Sequence, residues 1–227
     1  MNMQVQPVSS NARIAFRCAK CAACCRNLTE PFMLEALDVF RLARYLRKED
    51  DTIFGPEDVL PRCAESALIE GYPVFQIKTT GADAACVFLK DGRCSVYEAR
   101  PHVCRVYPFS VLPGAKGKDF QYVLCTERVH HFGTGSVNVK DWMGENLSKE
   151  AREFYRAQNR WLPKIVEKIK ANGEQESRRN LFQIIYYIYY GYDLEQPFLP
   201  QYERNMKALK ELLEQQEKGH ESYVHSE

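Results

Sequence analysis

The sequence carries almost no net charge: 31 Lys and Arg residues face 30 Asp and Glu residues over 227 positions, a formal +1. A dedicated nucleic-acid binder shows a basic excess, and so does a polybasic membrane anchor, so neither class fits. Long apolar runs are missing as well. The longest apolar-aromatic stretch, Ile184 to Tyr190, is seven residues, against the roughly 20 needed to span a bilayer. Met1 to Ala15 is polar and broken by Pro7, Ser9, Ser10 and Asn11, with no apolar core of a signal peptide. These absences predict a cytoplasmic protein with neither a membrane nor a nucleic acid as partner. Internal repeats are absent, and 45% hydrophobic with 27% charged residues excludes disordered and collagen-like classes.

What the sequence has in excess is cysteine, 9 residues, none of them after Cys125. In a reducing compartment clustered thiols hold metal more often than they form disulfides. Cys18-x-x-Cys21-x-x-Cys24-Cys25 lets a short loop wrap its thiolates around one centre. The same C-x-x-C-x-x-C step offers three ligands to a [4Fe–4S] cluster in bacterial ferredoxins, with a fourth cysteine from far away. Cys86, Cys94, Cys104 and Cys125 can supply it. Their separations of seven, nine and twenty residues are not the paired knuckles of common zinc fingers.

Cys24 and Cys25 are adjacent, so placing both on one small tetrahedral ion strains the peptide between them. The simplest division is one site from Cys18, Cys21, Cys24 and a distant cysteine, and a second from Cys25 and the remaining three. One iron–sulfur cluster with four structural or unused thiols is the alternative. Four thiolates around Zn²⁺ or an oxidised [4Fe–4S] core leave −2, which Arg17, Lys20, Arg26, Arg93 and Arg105 flank and offset. That arithmetic does not choose between iron and zinc.

The rest of the chain reads as follows. Leu34, Leu37, Leu42 and Leu46 share one helical face, with Arg41, Arg44, Arg47 and Lys48 on the other. Pro56 opens a second predicted helix over 57–70, ended by Gly71 and Pro73, with Cys63 inside it as an ordinary buried thiol. Val74 to Thr80 and Asp119 to Leu124 are predicted strands. Short strands and turns fill the interval, punctuated by Asp91-Gly92, Pro101, Pro108 and Pro113-Gly114. Beyond residue 138 the pattern is helical: a long helix from about 148 that Pro163 bends, a second over 175–190, and a third over 200–217 burying Met206, Leu209, Leu212 and Leu213. The predicted fold is α+β, a small irregular metal-centred module with short strands (1–137) followed by a helical C-terminal part packing on it (138–227). Such a module is expected to be largely unfolded without its metal.

Phe16-x-Cys18-x-x-Cys21-x-x-Cys24-Cys25, followed by Cys86-x-Phe88-Leu89-x-x-Gly92-x-Cys94-x-x-Tyr97-x-x-Arg100-Pro101-x-x-Cys104-Arg105-x-Tyr107-Pro108, resembles the YkgJ family of CxxCxxCC zinc- or iron-chelating proteins. The resemblance spans roughly residues 16–126 and leaves 138–227 unplaced. It implies a cysteine-bound metal centre with Cys125 as the last cysteine. The flagellin lysine methylases are similar in carrying a related cluster regarded as iron–sulfur.

Arg100 and Arg105 are candidates to donate to cluster sulfurs or a bound anion, or else to brace the scaffold. Tyr97 and Tyr107 read as packing around a small metal core. His102 reads as a surface or supporting residue, with replacement of a cysteine on a metal as the alternative, and His130-His131 as surface histidines, with a metal or proton-transfer element as the alternative. Gly133-Thr134-Gly135 reads as a loop, since no strand–turn–helix surrounds it. In Ile184 to Tyr190 the simplest reading is core packing. A radical-SAM enzyme is excluded, because the first cysteine gap is two residues and strands do not alternate with helices. Three functions follow: an iron–sulfur protein that passes electrons or supports a protein-modification reaction; a protein lysine methylase-like enzyme; and a zinc-stabilised interaction module without catalysis. A protein partner or protein substrate suits each of them.

Overall fold

The computed structural model describes residues 5–28, 30–114 and 120–224. Contacts divide the chain into two units, each discontinuous in sequence: Met1–Phe32 with Lys78–Arg152, and Met33–Ile77 with Glu153–Glu227. The first unit holds all eight motif cysteines, while Cys63 falls in the second. The fold is α+β as expected. Packing, however, cuts the chain differently from a single boundary at 137/138, because residues 33–77 group with the helical segment.

In the first unit, β1 (Val5–Val8), β9 (Phe109–Pro113) and β10 (Phe120–Cys125) form an antiparallel sheet in the order β1-β10-β9. Val5 pairs with Cys125, and Leu124 with Phe109. Of the strand predicted over Asp119 to Leu124, Asp119 lies outside the described residues. A second pair joins β2 (Arg13–Phe16) to β11 (Phe132–Asn138), with Phe132 opposite Phe16 and an irregularity before Val137. Gly133-Thr134-Gly135 is therefore strand, not loop. Gly135 is required there: its φ is +74°, and a Cβ would sit 2.8 Å from the Phe16 carbonyl oxygen.

Two minimal hairpins carry cysteines. In β5 (Thr79–Thr80) with β6 (Ala85–Cys86), Thr79 pairs with Cys86; in β7 (Leu89–Lys90) with β8 (Arg93–Cys94), Leu89 pairs with Cys94. Asp91 and Gly92 both have positive φ, 49° and 72°, the two-residue turn that a DG pair favours. Two helices, α3 (His102–Val106) and α4 (Val139–Asn146), complete the unit. Asn138 caps α4, its Oδ1 accepting from Asp141 N at 3.2 Å.

The second unit opens with α1 (Ala36–Leu46) and α2 (Pro56–Cys63), then a hairpin of β3 (Ala64–Ile69) and β4 (Tyr72–Ile77). The helix expected over 57–70 therefore ends at Cys63. Glu70 and Gly71, with φ of 51° and 82°, form a hairpin turn, so the glycine that reads as a helix stop reverses a strand. Beyond α5 (Lys149–Arg179) lie α6 (Leu181–Ile185), a π-turn over Tyr186–Tyr190 and α7 (Phe198–Val224). The helix α5 runs through Pro163 and breaks instead at Gly173, φ 77°. Phe40, Phe154, Tyr192, Phe198 and Tyr202 pack ring against ring at 4.8–6.1 Å. Ile184, Ile188 and Tyr189 are buried, which is the core role expected of that run. Among the described residues no helix is long and apolar enough to cross a membrane.

Candidate metal centre

The cysteine loop leaves β2 at Phe16 and runs to a 3₁₀ turn over Ala23–Cys25. Lys20, Ala22 and Asn27 hold positive φ of 52°, 59° and 52°, an uncommon density of left-handed non-glycine residues. Such strain persists only where surrounding contacts over-determine it. Here Asn27 N donates to Asp83 O at 2.6 Å and Leu28 N to Ala84 O at 3.2 Å. Arg26 pairs with Asp83, and Arg128 Nη2 donates to the carbonyls of Arg26 at 2.8 Å and Asn27 at 3.3 Å. These contacts bring the first cysteine run to the hairpin that carries Cys86.

Five thiols interact there. Cys24 and Cys25 Sγ lie 4.0 Å apart. The hydrogen bond from Cys25 brings Cys24 down to about 7; burial opposes this, while its own backbone amide and the charges of Arg128 and Arg100 assist. Cys25 is held far above the usual thiol range, first by that hydrogen bond, then by burial and the charges of Cys24, Cys104 and Cys86. Burial raises Cys86, with the charges of Cys94 and Cys24 adding and the Phe88 amide opposing. Burial also raises Cys94, with Cys24 adding and the Val96 amide and Arg100 opposing. Thiolates that raise one another in this way are stabilised together by a shared cation. The donor set thus fits a cysteine-bound metal centre.

Cys21 has other neighbours. Its Sγ lies 3.2 Å from His131 Nε2 and 3.7 Å from His130 Nε2. Among the described residues these three are the one group of at least three Cys, His, Asp or Glu donors all within 4.8 Å of one another. His131 is buried and His130 exposed, so the expectation of two surface histidines fails for His131. The cause is register: Phe132 pairs with Phe16, which carries the preceding histidine into an aromatic cage. Phe16, itself 1% exposed, meets Tyr107, His131, Phe132 and Trp142 at centroid distances of 5.6–6.3 Å. Tyr107 Oη lies 2.9 Å from His131 Nδ1, so this tyrosine both packs and hydrogen-bonds. Burial, then the charges of His130 and Arg128, hold His131 below its ordinary value.

The remaining candidates are placed as follows. Cys18 is exposed at the head of the loop, and Cys125 is half-buried at the end of β10. The Arg100 guanidinium lies 4.0 Å from the Tyr97 ring centroid and donates to Tyr97 O at 3.3 Å. Arg105 Nη2 donates to Glu98 O at 2.7 Å, bracing the turn before α3, and His102 opens α3. Arg128 and Arg100 lower Cys24, although neither adjoins a cysteine in sequence. The position of Arg128 just after the last cysteine was the available signal for it.

Residues 17–128 match a family described as "Putative zinc- or iron-chelating domain". An uncharacterized protein of Methanocaldococcus jannaschii is 33% identical over 168 residues, covering 68% of this chain and 84% of the relative. No solved structure matches. Neither match supports the likeness to flagellin lysine methylases. With its cysteine loop, its two cysteine hairpins and these matches, the chain belongs to the CxxCxxCC family of zinc- or iron-chelating domains.

Proposed function

We propose that the chain is an iron–sulfur protein whose cluster is held by one of Cys24 and Cys25 together with Cys86, Cys94 and Cys104, and that it serves in electron transfer. One observation carries this reading. The five thiols act on one another's charge, yet among the described residues no three of them lie mutually within 4.8 Å. A single tetrahedral zinc with four thiolates needs sulfur–sulfur edges of ~3.8 Å, from Zn–S bonds of ~2.3 Å. A polynuclear cluster spreads its ligands over several metal atoms and suits the wider set. When bound, it supplies a one-electron couple whose potential follows hydrogen bonding, net charge and exposure.

In this reading Arg100 offsets the charge of the thiolates, since its own charge already lowers Cys24 and Cys94. Arg105 holds the turn that carries Cys104. Cys18, Cys21 and Cys125 complete the proposed set of eight ligands, the ones left over being available to a second centre. The alternative is zinc at the same thiols, which the description of the matching family supports equally.

Anaerobic purification, with iron, acid-labile sulfide and zinc assayed per chain beside the visible spectrum, separates the two. A brown protein with comparable iron and sulfide is expected. A colourless protein with stoichiometric zinc at the thiols overturns the electron-transfer reading.

A further inference from the structure

We infer that Cys21, His130 and His131 form a separate mononuclear site for a borderline divalent cation of the zinc class, with a fourth position open to solvent. The spacing is that of one ion. Bonds of ~2.3 Å to sulfur and ~2.05 Å to nitrogen at a tetrahedral angle require a sulfur–nitrogen edge of ~3.6 Å. The structure has 3.2 and 3.7 Å, and all three donors lie within 4.8 Å. One thiolate and two imidazoles select zinc-like ions over hard cations such as Mg²⁺ or Ca²⁺, which take oxygen ligands.

The site is built rather than incidental. Its donors come from residues 109 and 110 positions apart, joined by the pairing of β2 with β11. Metal binding through His131 Nε2 needs the proton on Nδ1, which then donates to Tyr107 Oη at 2.9 Å. That outer contact fixes both tautomer and ring orientation. Phe16 and Tyr107 stand edge-on to the same ring at 6.3 and 5.6 Å. Cys21 and His130 are exposed, so the fourth ligand comes from solvent: water, or a small anion or thiol. Three protein donors and an exchangeable position are the arrangement of reactive zinc sites, in contrast to the closed four-ligand structural ones.

The inference is independent of what occupies the thiol cluster. The test is zinc binding to the full-length, anaerobically purified protein, with iron measured in parallel. His130→Ala, which removes an exposed ring, should lower the zinc content by one equivalent and leave iron and sulfide unchanged. If the thiol cluster holds zinc instead of iron, the count still falls by one. Tyr107→Phe should weaken zinc ~10–100-fold, the usual cost of losing an outer-shell contact. With Co²⁺ in the site, added cyanide or imidazole should change the ligand-field bands. Unchanged zinc stoichiometry and affinity in both His130→Ala and His131→Ala overturns the site. A Co²⁺ spectrum indifferent to added ligand overturns the open position.

Discussion

Replacing Phe16 by alanine tests whether the aromatic cage holds the first unit together. Removing a fully buried phenylalanine costs about 3–5 kcal/mol, the transfer term plus the cavity left behind. Phe16 is 1% exposed and meets four rings, three of them edge-on and one tilted, at 5.6–6.3 Å. Each such ring contact adds about 0.5–1.5 kcal/mol beyond area, which lifts the cost off the lower end of that range, to about 4 kcal/mol. That is roughly a thousandfold in the folded-to-unfolded ratio of this unit, at 1.4 kcal/mol per tenfold. The chain has 2 tryptophans, one per unit: Trp142 against Phe16, and Trp161, whose Nε1 donates to Glu203 Oε2 at 2.5 Å. In a Trp161→Phe background, urea unfolding followed by Trp142 emission reports the first unit alone. Phe16→Leu, which keeps most of the volume, should cost about 1–2 kcal/mol. A Phe16→Ala cost under about 1 kcal/mol refutes the idea that the cage is a rigid core.

Gly135→Ala should destabilise the same unit by more than about 1 kcal/mol, because it meets both a positive φ and the Phe16 carbonyl. Gly133→Ala meets only the positive φ, with nothing within 4 Å, and should cost less; thermal melts of the pair compare them. Cys86→Ser should remove iron and sulfide from the purified protein while the zinc equivalent at Cys21 stays, read by metal analysis. Burial raises Tyr189, Tyr192 and Tyr202 well above the ordinary value. These phenols ionise near pH 10 when unfolded, so their stabilisation is complete below pH 10. It falls as pH rises toward the folded values, by up to about 1.4 kcal/mol per pH unit for each. Denaturant midpoints followed through Trp161 in a Trp142→Phe background should therefore decline above pH 10, and a flat profile would contradict the burial of these rings.

Much of the candidate centre was legible because its chemistry is local. The Asp91-Gly92 turn acts within a few residues and the structure keeps it, whereas the two C-x-x-C steps are divided: Cys24 lies with Cys25, and Cys21 with His130 and His131. What was hidden depended on distant pairing. Val5–Val8 looks like a polar tail until it meets Cys125 across more than a hundred residues of chain. His130-His131 carries no distinguishing local pattern, and only the register of Phe132 opposite Phe16 separates a buried imidazole from an exposed one. Glu70-Gly71 is ambiguous for another reason: glycine after an apolar stretch ends a helix or turns a hairpin equally well, and β4 decides. The single boundary expected at 137/138 rested on cysteine content and on the change to a helical pattern, neither of which reports which segments share a core.

Metal removal should unfold the first unit and spare the second. The cysteine loop is joined to the Cys86 hairpin by two backbone hydrogen bonds, Asn27 to Asp83 and Leu28 to Ala84, worth about 1 kcal/mol each, and by the Arg26–Asp83 pair, exposed on both sides, which adds at most about 1. Strands of two residues, β5 to β8, bring little more. Metal bound across these segments supplies far more, about 10–16 kcal/mol for structural zinc in small domains. The second unit has its own means of support: a hairpin of two six-residue strands and a core that includes Phe40, Leu42, Leu60, Phe154, Phe198, Leu209 and Leu213. Stripping the full chain anaerobically with a strong chelator should therefore shift Trp142 emission to the red, leave Trp161 unchanged and retain most of the helical circular dichroism. Simultaneous loss of both tryptophan signals would mean that the second unit depends on the metal too. Retention of both would mean that the strained cysteine loop is held by protein contacts alone and not by metal.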